Sequence, residues 1–499
     1  MMNYLRIAFA VIFMTAMVGC SEKGPEQPIP PTPPPPTPPP IENVEAWLKT
    51  LPGVQSVEEL KTEKYASHFL VIFKQLIDPK NPAVGTFDQR VFVSHQNFAD
   101  PVVFETQGYH AQNSMTRTFK TELINRYKAN RIEVEHRYAG LSLPSPLDWK
   151  YLTYENAAAD LHAVRVALGK GYTGSWLATG VSKGGTNTMS YMMYYPQDVT
   201  AGVAYVGPIC NAVEDTRIVD HIMNVGTPEM RKKIVDFQRE LLIRRNTIQP
   251  LFYRSKPKPT KAKEYMTNDQ KYELAVLSFV YKVLQYGYDV DEIPTPDMST
   301  DEITDYAGEK KIFGRRKPKS DLKSSVEYFT DELGDYQIYL GDYQIYLDDY
   351  QIYLDDYQTR TAQLPILVNT HYYVQVLIEM GALANVVQPL EDLMPNHKSW
   401  SEHTMARFIV PADAADIKYS DVWNRNMNKW LQEEDPRLIC IYGQYDPWTA
   451  AAPDKNYFVG KSNMAIYIKK EGAHSSKIKD LSQQDRQAAW AKLDSWIKK

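Results

Sequence analysis

Gly180-Val181-Ser182-Lys183-Gly184 stands between the β-prone run Ser175-Trp-Leu-Ala-Thr179 and a stretch with helical character. A G-x-S-x-G pentapeptide so placed has to turn from strand to helix within a residue or two. At a turn that sharp, side chains flanking the serine would collide with neighbouring backbone, which is why the flanking positions are small. The motif therefore selects folds in which strands feed directly into helices packed on one sheet.

The rest of the chain agrees with that constraint. Residues 68–77 and 90–96 predict an antiparallel strand pair joined across a Pro/Gly-containing turn near Asn81 to Gly85. Residues 100–109, 130–140, 174–185 and 201–209 each read as a strand leading into a loop, with a helix over 155–168 and another after Ser182. This is the β/α alternation of a mostly parallel sheet. From about Arg217 to Ala406 the pattern gives way to helical spacing, as in 230–245 and 268–286, and it resumes with strands at 436–446 and 463–470 and a closing amphipathic helix from Asp485. The expected layout is a signal peptide at 1–20, a linker at 21–42, a sheet body at 43–216 and 407–499, and a mainly helical cap at 217–406 inserted after a strand. A chain of 499 residues has ample length for this.

The N-terminal region reads as an address. The apolar run Ile7 to Val18 is too short to span a bilayer, and Met17-Val18-Gly19-Cys20 is similar to a bacterial lipobox, which makes Cys20 the lipidation candidate and places the body outside the cytoplasm on a membrane anchor. Eleven of the sixteen residues from Pro25 to Pro40 are proline, a stiff polyproline spacer reaching about 50 Å. Cys210 and Cys440 lie in apolar runs and are expected to be buried thiols. Three cysteines, with no CxxC or HExxH spacing, predict no disulfide framework and no metal or redox centre. A net charge of -5 without basic blocks argues against nucleic acid as a partner. Inside the helical region, Asp-Tyr-Gln-Ile-Tyr-Leu recurs with a period of seven across 334–358, a tandem duplication read as a tolerated insertion rather than a dedicated binding surface.

A serine nucleophile needs a base, and the base an orienting carboxylate. On an elbow of this kind both follow the serine, acid first. Strand 438–442 is followed by Gly443-Gln-Tyr-Asp446-Pro-Trp448, and His474 is the one histidine after it. The candidate triad is Ser182, Asp446 and His474, with Asp454 a competing acid; among the remaining histidines, His136 and His110 are placed nearest the site. Backbone donors for the oxyanion are expected from Lys183 and from Gly108 or Tyr109 in the loop after residues 102–106, the Lys183 side chain being read as solvated. Ser182 and Asp446 are separated by 264 positions and Asp446 and His474 by only 28, so the inserted helical region overhangs the serine and restricts access to it.

Val134-Glu-His-Arg-Tyr-Ala-Gly-Leu-Ser-Leu-Pro144, Tyr151-Leu-Thr153, Gly180-Val-Ser-Lys-Gly-Gly185 and Tyr442-Gly-Gln-Tyr-Asp-Pro-Trp448 together resemble the S37 serine peptidases, prolyl tri- and tetrapeptidyl aminopeptidases related in motif to the S28 family. The resemblance implies an α/β-hydrolase fold, a mostly parallel eight-stranded sheet with a helical cap, no cofactor, and release of short N-terminal peptides with proline before the cleaved bond. It implies the same three catalytic residues. Departures are the tandem repeats and Met230, where a Cys is expected, which removes a possible cap disulfide. An enzyme that measures from a free N-terminus needs a carboxylate for the amine; Glu214, Asp215 and Glu135 are the candidates, each alternatively a salt-bridge partner of Arg217 or Arg137. Trp448 is the candidate wall for proline, or a core residue buttressing the acid loop. A carboxylesterase with the same triad and a catalytically dispensable surface-binding lipoprotein are the competing functions.

Overall fold

The computed structural model describes residues 41–111, 121–252, 267–310, 312, 370–395, 406 and 410–497. Cys20, the signal peptide, nearly all of the proline-rich linker and the tandem repeats lie outside the described residues. Contacts separate Met1–Glu42 from Asn43–Lys499.

Nine described strands form one sheet: β1 (Val54–Leu60), β2 (Ser67–Leu76), β3 (Thr86–His95), β4 (Val102–Thr106), β5 (Asn130–Val134), β6 (Trp176–Val181), β7 (Ala201–Tyr205), β10 (Leu438–Gly443) and β11 (Ala465–Lys469), in the order β1-β2-β3-β5-β4-β6-β7-β10-β11. β8 (Glu214–Asp215) and β9 (Ala382–Leu383) pair separately. From β5 to β11 all neighbours are parallel, whereas β3 runs antiparallel to both β2 and β5. The reversed β3 and the crossed β5-β4 order, in a sheet whose other strands apart from the edge β1 run parallel, define the α/β-hydrolase fold. The sheet has one strand more than the eight expected. β1, Val-Gln-Ser-Val-Glu-Glu-Leu, is a polar, half-exposed edge that pairs antiparallel with β2, and its composition hides it among loop residues.

Burial explains the sequence of the central strands. β4, β5, β7 and β10 are buried at every residue because helices cover both faces, so they read as continuous runs instead of alternating ones. On one face, the helix Lys183–Tyr194 sets Tyr191 edge-on against Phe104 of β4, while the helix Tyr154–Leu168, N-capped by Thr153, lays Arg165 over the Trp176 ring. On the other, Glu122 of the helix Glu122–Tyr127 accepts from Tyr205 Oη of β7, and Tyr127 joins Asp494 of the helix Gln483–Trp496.

Between β7 and β10 the chain builds a separate helical layer: Arg217–Asn224, Pro228–Ile243, Arg245–Phe252, Asn268–Tyr286 and Thr300–Glu309. Phe237, Leu241, Ile248, Tyr272, Val276, Phe279 and Ile303 form its own apolar cluster, and Tyr445 and Trp448 pack on that cluster from the sheet side. The two strands that flank this excursion nevertheless meet. Val203 pairs with Ile439, and Tyr442 Oη donates to the Gly207 carbonyl across 235 positions of chain.

Candidate active site

The ends of β6, β7, β10 and β11 present their loops on one edge of the sheet, the usual place for chemistry in an open parallel sheet. Ser182 terminates β6 and begins the helix Lys183–Tyr194 with φ 57° and ψ -128°, a left-handed conformation that a serine adopts only under constraint. The constraint is visible on both sides. Its N–H donates to Tyr205 O of β7 at 2.9 Å, and its carbonyl accepts from Thr186 N at 3.1 Å. The glycines of the pentapeptide are required by contact: a Cβ on Gly180 would fall 2.3 Å from the Gly184 carbonyl carbon, and one on Gly184 would fall 2.8 Å from Thr106 O of β4.

His474 Nδ1 lies 2.8 Å from Asp446 Oδ2, both side chains being nearly or fully buried. A carboxylate only accepts, so the shared hydrogen sits on Nδ1. Asp446 Oδ1 also accepts from Trp448 N at 3.3 Å. The helical layer braces this pair from above. The Gln285 carbonyl, near the end of the helix Asn268–Tyr286, accepts from His474 N at 2.9 Å, and His221 of the helix Arg217–Asn224 faces the backbone of Tyr445 and Asp446. Asp454, the alternative acid, is exposed and caps the short turn Lys455–Phe458. Ser182, Asp446 and His474 thus all belong to the same edge, on loops after β6, β10 and β11.

The Lys183 side chain corrects the expectation of a solvated lysine. It is buried, and Nζ donates to Gly108 O at 2.7 Å and lies 3.3 Å from His136 Nε2. His371 Nε2 meets the same Gly108 carbonyl at 3.3 Å. His110, His136 and His371 are all buried, and burial holds His110 down to about 4 and the other two well below the ordinary imidazole range. Lys183 is likewise pushed well down by burial, a shift that Glu379 partly opposes. Glu379 itself is buried and raised to about 7, and it accepts from Tyr154 N and Gln375 Nε2. His371 and Glu379 had no signal in the sequence, since they sit in the inserted region, 263 positions from Gly108 in the case of His371.

Two of the three amine-anchor candidates are otherwise occupied. Glu135 is fully buried and accepts from Ala111 N, Leu141 N, Ser142 N, Ser142 Oγ and Arg90, leaving no face for a ligand amine. Its cationic partner is Arg90 rather than Arg137, which grips Asp160 with two hydrogen bonds of 2.7 and 2.8 Å. Asp215 is bound by Arg217 through Nε and Nη2 and by Asn211 N, which hold its carboxyl below the usual range against the opposing effect of burial. Glu214 is half-buried at the start of β8. Trp448 is also half-buried, with its ring on the apolar cluster of the helical layer. Cys210 and Cys440 are buried free thiols.

The sequence profile of the PS-10 peptidase S37 family matches residues 38–343, a span that includes Ser182 and stops before Asp446 and His474. The prolyl tri/tetrapeptidyl aminopeptidase of Streptomyces mobaraensis is 27% identical over 454 residues, covering 89% of this chain and 83% of that protein. Among solved structures, proline iminopeptidase from Mycobacterium smegmatis superposes with a TM-score of 0.38 at 12% identity, over 85% of this chain and 96% of that one. A proline iminopeptidase-related protein from Thermus thermophilus gives 0.33 at 10% identity, over 86% and 98%. With the profile matching well over half of its length, the chain belongs to the S37 family of serine peptidases.

Proposed function

We propose that this serine exopeptidase releases tri- or tetrapeptides from the free N-termini of peptides, with proline before the cleaved bond, and that Ser182 is its nucleophile, His474 its general base and acid, and Asp446 the carboxylate that orients the histidine. The observation that carries the assignment is the buried Asp446–His474 couple on the same sheet edge as a serine held at positive φ on a glycine-flanked elbow. With Nδ1–H committed to Asp446, Nε2 takes the Ser182 proton as Oγ attacks the carbonyl carbon and returns it to the departing amine; water then repeats the sequence on the acyl-enzyme. The peptide class follows the activity named for the Streptomyces mobaraensis relative.

The helices from Arg217 to Glu309 act as a cap that closes the approach to Ser182 to all but a chain end, and Glu214, the anchor candidate with no ion pair among the described residues, receives the substrate's ammonium group. Trp448 lines the proline pocket. Lipidated at Cys20, the enzyme is held outside the cytoplasm, with the proline-rich segment as its spacer. The test is product mass spectrometry on an Ala-Ala-Pro-initiated peptide, with and without N-terminal acetylation. Release of the tripeptide from the free-amine form alone is expected. Equal cleavage of both forms would remove the N-terminal anchor and make the enzyme an endopeptidase, and ester turnover with neither peptide cut would make it a carboxylesterase.

A further inference from the structure

Lys183 serves the serine's neighbourhood twice. Its main-chain N–H opens the helix behind Ser182, while its side chain folds back to the loop after β4 and donates to Gly108 O at 2.7 Å. The same carbonyl accepts from His371 Nε2 at 3.3 Å, so both of its lone-pair directions are engaged by groups from two distant parts of the chain. A trans peptide is planar, with its N–H pointing opposite to its C=O. Fixing the Gly108 carbonyl toward the buried lysine and histidine therefore fixes the Tyr109 N–H in the opposite direction. Gly108 itself is pressed against the start of the nucleophile helix: a Cβ there would lie 2.6 Å from Lys183 Cβ and 2.7 Å from Gly184 N.

We infer that Lys183 and His371 are positioning residues for the oxyanion site, acting through the Gly108 carbonyl to aim the Tyr109 N–H beside the Lys183 N–H at the oxygen that becomes negative during acyl transfer. The hydrogen count is consistent. His136 Nδ1 is 2.7 Å from Arg137 O, an acceptor, so that nitrogen carries the hydrogen and Nε2 faces Lys183 Nζ with a lone pair. A neutral lysine amine has two N–H groups, one for His136 Nε2 and one for Gly108 O, and burial favours that neutral form. A donor aimed in advance at a developing charge raises the rate of the chemical step without tightening substrate binding.

This inference rests on Ser182 being the nucleophile, which Ser182→Ala tests separately by loss of all peptide release. The direct test is Lys183→Met, similar in length and apolar, assayed on Ala-Ala-Pro-anilide. The expected result is a kcat lower by roughly 10²–10³ with KM within threefold of wild type, and a proportional loss of affinity for the corresponding peptide aldehyde, which mimics the tetrahedral adduct. A lowered melting temperature with kcat per folded molecule unchanged would overturn the assignment and leave Lys183 a purely structural residue, even with Ser182→Ala inactive. His371 supplies a second comparison should Lys183→Met not fold. His371→Leu, which donates nothing, is expected to lose about tenfold in kcat, and His371→Gln, whose amide can donate, to recover most of it. Equal kcat in both would refute the role.

Discussion

Glu379 has few options for its charge. Buried, it accepts from a backbone amide and a glutamine amide, which oppose the burial that lifts it from 4.5 to about 7. In the folded enzyme the neutral acid is favoured between those two values, whereas the unfolded chain ionises from 4.5 upward. The stability it contributes is fully present below about 4.5 and is lost as pH rises through about 7, on the order of 3 kcal/mol across the window. Glu379→Gln keeps an acceptor oxygen and cannot ionise. Its melting temperature is expected to match wild type at the acid end of the window and to exceed it at pH ~8, as read by calorimetry at both values. No gain at the alkaline end would mean that the native carboxylate is stabilised as an anion.

The residues with assigned chemistry were legible to different degrees for the same physical reason. Order along the chain singled out Asp446 and His474 because the elbow fixes which strand ends come next. Lys183 was not legible beyond its backbone, since a lone lysine after a serine is ordinarily solvated and its burial depends on Gly108 and His136, brought there by the sheet. Glu135 and Asp215 had the right charge, but local turns and a neighbouring arginine consume it.

Among elements, the helix Lys183–Tyr194 approaches β4 closely. Gly184 has no room for a methyl group, because the obstacle at 2.8 Å is the Thr106 backbone carbonyl, and Thr106 Oγ1 in turn donates to Gly184 O at 3.0 Å. Gly184→Ala must part helix from strand. It is expected to cost about 1–3 kcal/mol, seen as a lower urea midpoint with unchanged m-value, and to reduce kcat, because Gly108 is carried on the same strand end. An alanine variant as stable and active as wild type would show that the helix can slide at no cost. The parallel strands and long helices were readable as elements because a covered strand is a continuous apolar run and 268–286 has a clean helical period. β1 was not, since an exposed edge strand has no apolar face to betray it.

At the scale of the whole molecule, the contact unit beginning at Asn43 contains the sheet, the helical layer and all the site residues. Removal of residues 1–42 is accordingly expected to leave kcat/KM on Ala-Ala-Pro-anilide within twofold of the full chain, while Cys20→Ser in the full chain shifts the protein from the membrane to the soluble fraction on cell fractionation. A large fall in activity on truncation would tie the leader to the fold, and unchanged membrane association of the serine variant would exclude lipidation at that cysteine.

The pairing of β7 with β10 also sets a timetable. With Gly207 and Tyr442 235 positions apart, a ribosome adding roughly 5–20 residues per second leaves the apolar edge Ala201–Tyr205 without its neighbour for about 10–50 s. Through that interval the nascent chain displays a strand ready to pair with another chain, the period in which a holding chaperone matters most. Ser182 has been made by then, yet Asp446 and His474, its proposed acid and base, have not. The protease is born latent, and its competence arrives only when the last two strands dock.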